Sequence, residues 1–356
     1  MLDDCCYAVI MAGGAGTRLW PLSTRNEPKH LLKLFGGKCL IQLTVEKVKG
    51  HIPDERIIIL TSVHYRELTR QTLPQLPPEN FICEPCVRDT ASAIGLAATA
   101  LKQRCASATM IMLTADQIIE PADRFNTAIR HAARFLESHP DKLIAFGVEA
   151  ASANTQVGWQ KLGQVLDFPD CEVRKIDQFT EKPDQATAQS YMDQGGYCWN
   201  SGQFAWKAET ILNEIGTHLP ETVPLLEEIG AEWDTASRDR VLDRLFPQMP
   251  RGSIDYEVMQ KTNNACSLCL PCSWEDMGTH TALIEKIGTK QGTNVIFGGA
   301  LATGTGNKIL NQTDQSVVVA CDNAVVVVAN NTVFIGTPDT DMKALVERVA
   351  RRAPES

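Results

Sequence analysis

Apolar residues along the first 150 positions come in short, dense runs with few polar interruptions: YAVIMAG, RIIILTS, FICEP, ATMIMLTAD and LIAFGVEA. Each is five to nine residues rich in β-branched side chains and bounded by turn formers, the signature of strands buried on both faces. Between them lie longer stretches with helical spacing, such as TASAIGLAATALKQR and PADRFNTAIRHAARFLESH. Strand and helix in alternation predict an α/β fold, a Rossmann-like domain with a mostly parallel mixed sheet covered by helices. Ligands of such sheets bind at the carboxyl ends of the strands. The glycine cluster at 13–16, Glu84-Pro85 and Asp116 all fall at such ends.

From 151 to about 290 the pattern loosens. GQVLDF, CEVRKIDQFTEKP and WNSGQFAWKA read as strands, and helices are expected between about 207 and 261. Beyond Thr293, short valine-rich rungs alternate with Gly, Asn and Asp, which predicts a small β-helix-like unit, with an ordinary pair of hairpins as the alternative. The helical stretch MKALVERVARR closes it. The expected division is a catalytic domain over 1–290 and a small C-terminal β-rich domain over 291–356.

Bulk properties narrow the partners. The 356-residue chain carries a formal charge of −9 and no long basic run, which speaks against nucleic acid or an anionic membrane surface. The acidic start MLDD and the short apolar run after it resemble neither a signal peptide nor a membrane span, so a cytoplasmic protein is expected. Among the twelve cysteines, Cys83 and Cys86, and Cys266, Cys269 and Cys272, have spacings that admit zinc. Their strand-like surroundings favour small buried thiols instead.

Chemistry concentrates in AVIMAGGAGTRLWPLSTRNEPKHLL. A Walker loop needs GxxxxGK[ST] and a dinucleotide fingerprint GxGxxG, and neither spacing is met. What remains is a glycine loop, Gly13, Gly14, Gly16 and Thr17, whose bare backbone lets amides approach phosphate oxygens. Arg18 offers bidentate contacts to phosphate and Lys29 a point charge. Asp116 and Asp276 are short carboxylates suited to a hard divalent ion.

That string resembles the signature of the sugar nucleotidyltransferases. EPCVRDTASAIGLAA (84–98), LTADQII (113–119), FTEKP (179–183), YCWNSGQFAW (197–206), SIDYEVM (253–259) and SWEDMGTHTAL (273–283) are similar to the motifs of the branch that makes GDP-mannose, in order along nearly the whole chain. The resemblance implies transfer of GMP from GTP to mannose 1-phosphate, releasing pyrophosphate, with Mg²⁺ on Asp116 and Asp276. It implies catalytic roles for Arg18, Lys29 and Lys182, the last on the sugar phosphate. It also implies base contacts from Ala12, Gly13, Asp89, Thr90 and Ala91, and sugar contacts from Gly158, Glu181, Asn200 and Asp276. Asp255 is either a supporting residue of that sugar shell or a helix cap. The chain departs from the family pattern at Asp89, for asparagine, at Ser92 and Thr114, for prolines, and at Gln117, for histidine. Alternatives are the same chemistry on another sugar 1-phosphate, such as a heptose, and a catalytically silent nucleotide-sugar-binding regulator. Some bacterial relatives carry an isomerase domain in extra length, so a single activity is expected. A homodimer is expected because the valine-rich rungs present edge strands.

Overall fold

The computed structural model describes residues 2–14 and 16–350; Ala15 of the glycine loop and Arg351 and Arg352 of the expected closing helix lie outside the described residues. Eleven strands precede residue 280: Cys6–Met11 (β1), Ile57–Ser62 (β2), Phe81–Glu84 (β3), Thr109–Thr114 (β4), Gln117–Glu120 (β5), Leu143–Glu149 (β6), Trp159–Leu166 (β7), Val173–Thr180 (β8), Tyr197–Lys207 (β9), Ala265–Cys269 (β10) and Ser273–Asp276 (β11). Nine of them form one sheet in the order β3-β2-β1-β4-β9-β6-β10-β8-β7. Pairing is parallel from β3 to β4 and between β6 and β10, and antiparallel where β9, β8 and β7 enter. β5 and β11 make a separate two-stranded ribbon.

The strands read as continuous apolar runs are buried along almost their whole length. On one face helix Asp89–Arg104, nearly all alanine and leucine on its inner side, packs between the sheet and the helices Ala208–His218 and Val223–Ala231. On β4 and β9 lies helix Ala122–Ser138, whose Phe125 and Phe135 are fully buried. β7 begins at Trp159, four residues before the GQVLDF run, because Trp159 is buried against Ala188 and Tyr191 of the neighbouring helix.

By packing, the chain divides into two units. The first holds residues 1–13, 44–114 and 119–274, and so the whole nine-stranded sheet; the second holds 14–43, 115–118 and 275–356. The core of the second joins Leu19, Leu22, Leu32 and Leu34 of the N-terminal loop to Leu283 and Ile284 and to Val325, Val327 and Phe334 near the other end of the chain.

The C-terminal rungs are Thr289–Gln291 (β12), Asn294–Phe297 (β13), Ala300–Ala302 (β14), Lys308–Asn311 (β15), Val317–Val319 (β16), Val325–Ala329 (β17) and Thr332–Gly336 (β18). β13, β15 and β17 stack in parallel, as do β14 and β16, which makes a small β-helix-like unit. Buried asparagines tie successive turns together. Asn294 Oδ1 accepts from the Asn307 amide, and Asn307 Oδ1 accepts from the Ala324 amide. Helix Met342–Ala350 follows.

Cys5, just before β1, and Cys105, just after helix Asp89–Arg104, are joined by a disulfide with Cα atoms 6.0 Å apart. Nothing in the cysteine spacing had singled them out. Cys266 is buried, Cys272 half-buried and Cys269 exposed. Among the described residues no group of three or more His, Cys, Asp or Glu is arranged to hold a metal, and no helix is long and apolar enough to cross a membrane.

Candidate active site

The glycine loop, which from Gly14 on belongs to the second unit, places its cations by close backbone approach. Gly16 sits at φ 63°, in the left-handed region that glycine adopts without cost. A Cβ there would stand 2.7 Å from Lys29 Cγ, so the missing side chain is also what lets the lysine stem lie against the loop. Lys29 is buried, and its Nζ reaches Asp116 Oδ2 at 2.5 Å. Thr17 and Arg18 are exposed, in the short helical turn Thr17–Leu19.

Asp116 precedes β5 and Asp276 ends β11, and the amide of Met277 donates to the Asp116 carbonyl at 3.2 Å. The Asp276 carboxyl is held above the usual range by burial and then by the negative charge of Asp116, with Lys29 and Arg18 pulling the other way. Two carboxylates that repel each other beside two cations make a site poised for a divalent ion. Both are hard oxygen donors, and magnesium is usually held by one or two carboxylates with substrate phosphates completing its shell, so the residues fit that ion. Neighbouring His30 is buried, and that burial pushes its imidazole down to about 4, so it stands neutral at pH 7.

Of the expected sugar residues, Gly158, Glu181 and Asn200 belong to the first unit and form a contiguous set, whereas Asp276 belongs to the second. The Asn200 amide donates to the Gly158 carbonyl at 2.7 Å. A Cβ on Gly158 would stand 2.5 Å from Glu181 Oε2 and 3.2 Å from Asn200 Cβ, so glycine is what leaves room for the carboxylate. Lys182, at φ 47°, turns back to place Nζ 2.5 Å from Glu181 Oε1. Burial pulls the Lys182 ammonium down, but Glu181, Asp255 and Tyr256 together carry it above its ordinary value. Asn200 Nδ2 donates to Asp255 Oδ1 at 3.1 Å, and Glu181 N to Gln260 Oε1 at 2.6 Å. Asp255 opens a single π turn, Asp255–Met259, and its side chain is engaged by Asn200. Burial and then Glu181 raise its carboxyl above the normal range.

The expected base residues are also in the first unit. Ala12 is pinned by its amide to the Leu60 carbonyl (2.7 Å) and by its carbonyl to the Thr61 hydroxyl (3.0 Å). Asp89 takes φ 59° at the head of its helix. Thr90 Oγ1 accepts from the Ile254 amide at 2.8 Å, and the Ala91 amide donates to the Gly252 carbonyl at 3.1 Å. These two residues therefore hold the segment that leads into Asp255. The sequence reading placed Glu84 at a ligand-binding strand end but gave it no role. It is buried, and Oε1 lies 3.1 Å from where a Gly13 side chain would begin. Burial, then Asp89, raises it to about 8. A carboxylate ending the apolar run FICE was the available signal.

Two departures from the family pattern are engaged internally. Thr114 and Gln203 exchange hydrogen bonds, Thr114 N to Gln203 Oε1 at 3.1 Å and Gln203 Nε2 to Thr114 Oγ1 at 3.0 Å, and a proline would have neither group. Ser92 Oγ donates to the Pro250 carbonyl at 3.0 Å.

A nucleotidyl transferase family model matches residues 7–291. The chain is 34% identical over 313 residues to the mannose-1-phosphate guanylyltransferase of Escherichia coli K12, covering 86% of this chain and 65% of that one. To that of Salmonella montevideo it is 33% identical over 353 residues, covering 96% and 73%. The chain thus spans just under two thirds of the length of the Escherichia coli relative. A crystal structure from Thermus thermophilus, described as a mannose-1-phosphate geranyltransferase, superimposes with a TM-score of 0.83 at 28% identity, over 98% of this chain and 99% of that one. Sequence over most of its length and fold over nearly all of it make this chain a member of the nucleotidyl transferase family.

Proposed function

We propose that the protein transfers GMP from GTP to α-D-mannose 1-phosphate, forming GDP-mannose and pyrophosphate. The observation that carries the reading is the Lys29–Asp116 pair beside Asp276: a phosphate-loop lysine and two mutually repelling carboxylates, a set suited to metal-bound polyphosphate. The second pKa of a phosphate monoester is about 6, so the attacking oxygen is already ionised at neutral pH and needs no protein base. The protein's task is to hold two polyanions in line and to neutralise the charge that develops.

In this reading the amides of Gly13, Gly14, Gly16 and Thr17, with Arg18 and Lys29, hold the triphosphate and steady the departing pyrophosphate. Asp116 and Asp276 hold magnesium, which neutralises charge at the α-phosphate and acts as a template for both substrates. Lys182 holds the sugar phosphate. Glu181, Asn200 and the Gly158 backbone meet the sugar hydroxyls, with Asp255 orienting Asn200, and Asp276 is read as a further sugar contact. Ala12, Gly13 and Asp89 border the base, and ionised Glu84 accepts from the ring and amino hydrogens of guanine. Asp89, Thr90 and Ala91 keep the base side and the Asp255 segment in register.

We further read the protein as a homodimer. On β18, an edge strand, Val333 and Ile335 are 60% and 69% exposed, a surface that a second copy covers. The Cys5–Cys105 bond weighs against a reducing compartment.

The test is pyrophosphate release with Mg²⁺ across GTP, ATP, UTP and dTTP against mannose, glucose and heptose 1-phosphates. A peak at GTP with mannose 1-phosphate supports the reading; a peak elsewhere reassigns the substrate; silence with retained nucleotide-sugar binding favours a regulator.

A further inference from the structure

Lys182 has a backbone conformation that its own sequence does not favour. A residue ahead of proline is pushed toward extended angles, and a side chain with a Cβ makes the left-handed region costly. Lys182 precedes Pro183 and yet stands at φ 47°. Such a conformation persists where its surroundings over-determine it. Here both peptide groups that flank Glu181 are gripped by side chains from one place. The Glu181 amide donates to Gln260 Oε1 at 2.6 Å, and the Glu181 carbonyl accepts from the Tyr256 hydroxyl at 3.4 Å. The second grip holds the plane of the peptide that joins Glu181 to Lys182. The lysine stem then turns back, with Nζ 2.5 Å from Glu181 Oε1.

Tyr256 lies in the π turn Asp255–Met259 and Gln260 ends it, and the unusual turn is what aims them. In an α-helix, residues five apart point about 140° away from each other. Here the Gln260 amide donates to the Asp255 carbonyl at 2.9 Å, an i→i+5 bond that brings residue 260 round nearly over residue 255. Asp255 can therefore meet Asn200 Nδ2 at 3.1 Å while Gln260 meets the Glu181 amide. The turn is a firm base. Val258 and Met259 are buried in the core, and the segment before it is fastened to helix Asp89–Arg104, at Pro250 by Ser92, at Gly252 by Ala91 and at Ile254 by Thr90.

We propose that Gln260, assisted by Tyr256, is a positioning residue for the sugar-phosphate cation: the π turn holds the Glu181–Lys182 peptide in place, keeps Lys182 left-handed and so keeps its ammonium where a sugar 1-phosphate is received. Neither Gln260 nor Tyr256 touches substrate in this role. Without the Gln260 acceptor the Glu181 amide is released to water and the 181–182 peptide plane is free to rotate. Lys182 then relaxes toward the extended backbone that Pro183 favours, which swings its stem away from Glu181. The fraction of protein competent to receive the sugar phosphate falls, so the cost appears in the KM for that substrate. The inference rests on the sugar-phosphate role proposed for Lys182.

Gln260→Met keeps the length of the side chain and removes the acceptor. Gln260 is exposed, so the fold is expected to be retained, as read by circular dichroism. Hydrogen exchange at the Glu181 amide, resolved to the residue by mass spectrometry, should quicken about tenfold in Gln260→Met and stay slow in Gln260→Glu, which still accepts. In pyrophosphate release the KM for mannose 1-phosphate should rise about three- to tenfold in Gln260→Met, the loss of one hydrogen bond. Tyr256→Phe should raise it by less, and in both variants kcat and the KM for GTP stay close to wild type. When Lys182 is already alanine, most of the Gln260→Met effect should vanish, because the two residues act as one unit. Unchanged exchange at Glu181 or an unchanged KM for the sugar phosphate overturns the proposal, as does a Gln260→Met effect that adds in full to that of Lys182→Ala. If the wild type turns over no sugar 1-phosphate, the function proposed above fails, and the exchange rates alone still decide whether Gln260 holds this backbone.

Discussion

Lys29 Nζ stands 2.5 Å from Asp116 Oδ2, with the lysine side chain only 10% exposed and the aspartate 29%. On the function proposed above, this buried cation, whose partner also faces Asp276, would link phosphate binding to metal binding through a single residue. Lys29→Met leaves Asp116 and Asp276 repelling each other with only the Arg18 charge opposing. It is expected to cost about 1.5–3 kcal/mol of stability, the range for a charged hydrogen bond, and millimolar Mg²⁺ is expected to recover part of it. Thermal denaturation with and without the ion checks this, and equal melting temperatures with Mg²⁺ and EDTA would count against the site.

Asp276→Asn keeps the shape of the side chain and removes its charge. Turnover should fall by at least two orders of magnitude with the circular dichroism spectrum unchanged. Near-normal activity at saturating Mg²⁺ would remove Asp276 from the metal role.

Lys182 is half exposed, and its ammonium is the free end of the Glu181 pair. Lys182→Ala is expected to raise the KM for mannose 1-phosphate about tenfold or more, the loss of one charged contact, while the KM for GTP changes little. Gly158→Ala displaces the Glu181 carboxylate and should produce the same selectivity with a smaller effect. Steady-state kinetics with each substrate varied in turn separates the cases, and a defect confined to GTP would move Lys182 to the nucleotide.

Glu84 titrates at about 8 in the folded chain, against 4.5 for an ordinary glutamate, chiefly through burial. A carboxyl with a raised folded value contributes stability that is complete below about 4.5 and is lost as pH rises towards 8. Without ligand the wild type should therefore lose melting temperature between pH 5 and pH 8.5, and Glu84→Gln should lose much less. If ionised Glu84 meets guanine, GTP affinity rises with pH over the same window in the wild type and not in Glu84→Gln. Calorimetry at both pH values reads both effects, and parallel pH curves for the two proteins would exclude Glu84 from either.

The parallel strands β1 to β4 were legible because a strand buried on both faces leaves no polar position to blur it. The same holds for helices Asp89–Arg104 and Ala122–Ser138, whose spacing is regular. Lys29 and Asp116, matched to separate motifs, do meet in an ion pair, and Gly158, Glu181 and Asn200 lie side by side. Three things were hidden. Leu19, Leu22, Leu32 and Leu34 follow no period, since the loop turns through short 3-10 segments, so its packing partner left no mark in the sequence. Glu84 looked like a strand end, because nothing local reveals that a carboxylate is buried. Cys5 and Cys105 are separated by 100 residues, and no spacing rule reaches that far.

The leucines of the glycine loop pack on Leu283, Val325 and Phe334, which are synthesised long after them. On a ribosome adding about 5–20 residues per second, some 300 residues must follow Leu19 before its bed exists, an interval of roughly 15–60 s. Through that time the nascent chain can build the β1–β4 strands while its loop leucines stay uncovered. On the function proposed above, nucleotide binding is therefore acquired only after the sheet, and an arrest of translation between Cys269 and Phe334 leaves a protein with all nine strands of its sheet but no bed for the glycine loop.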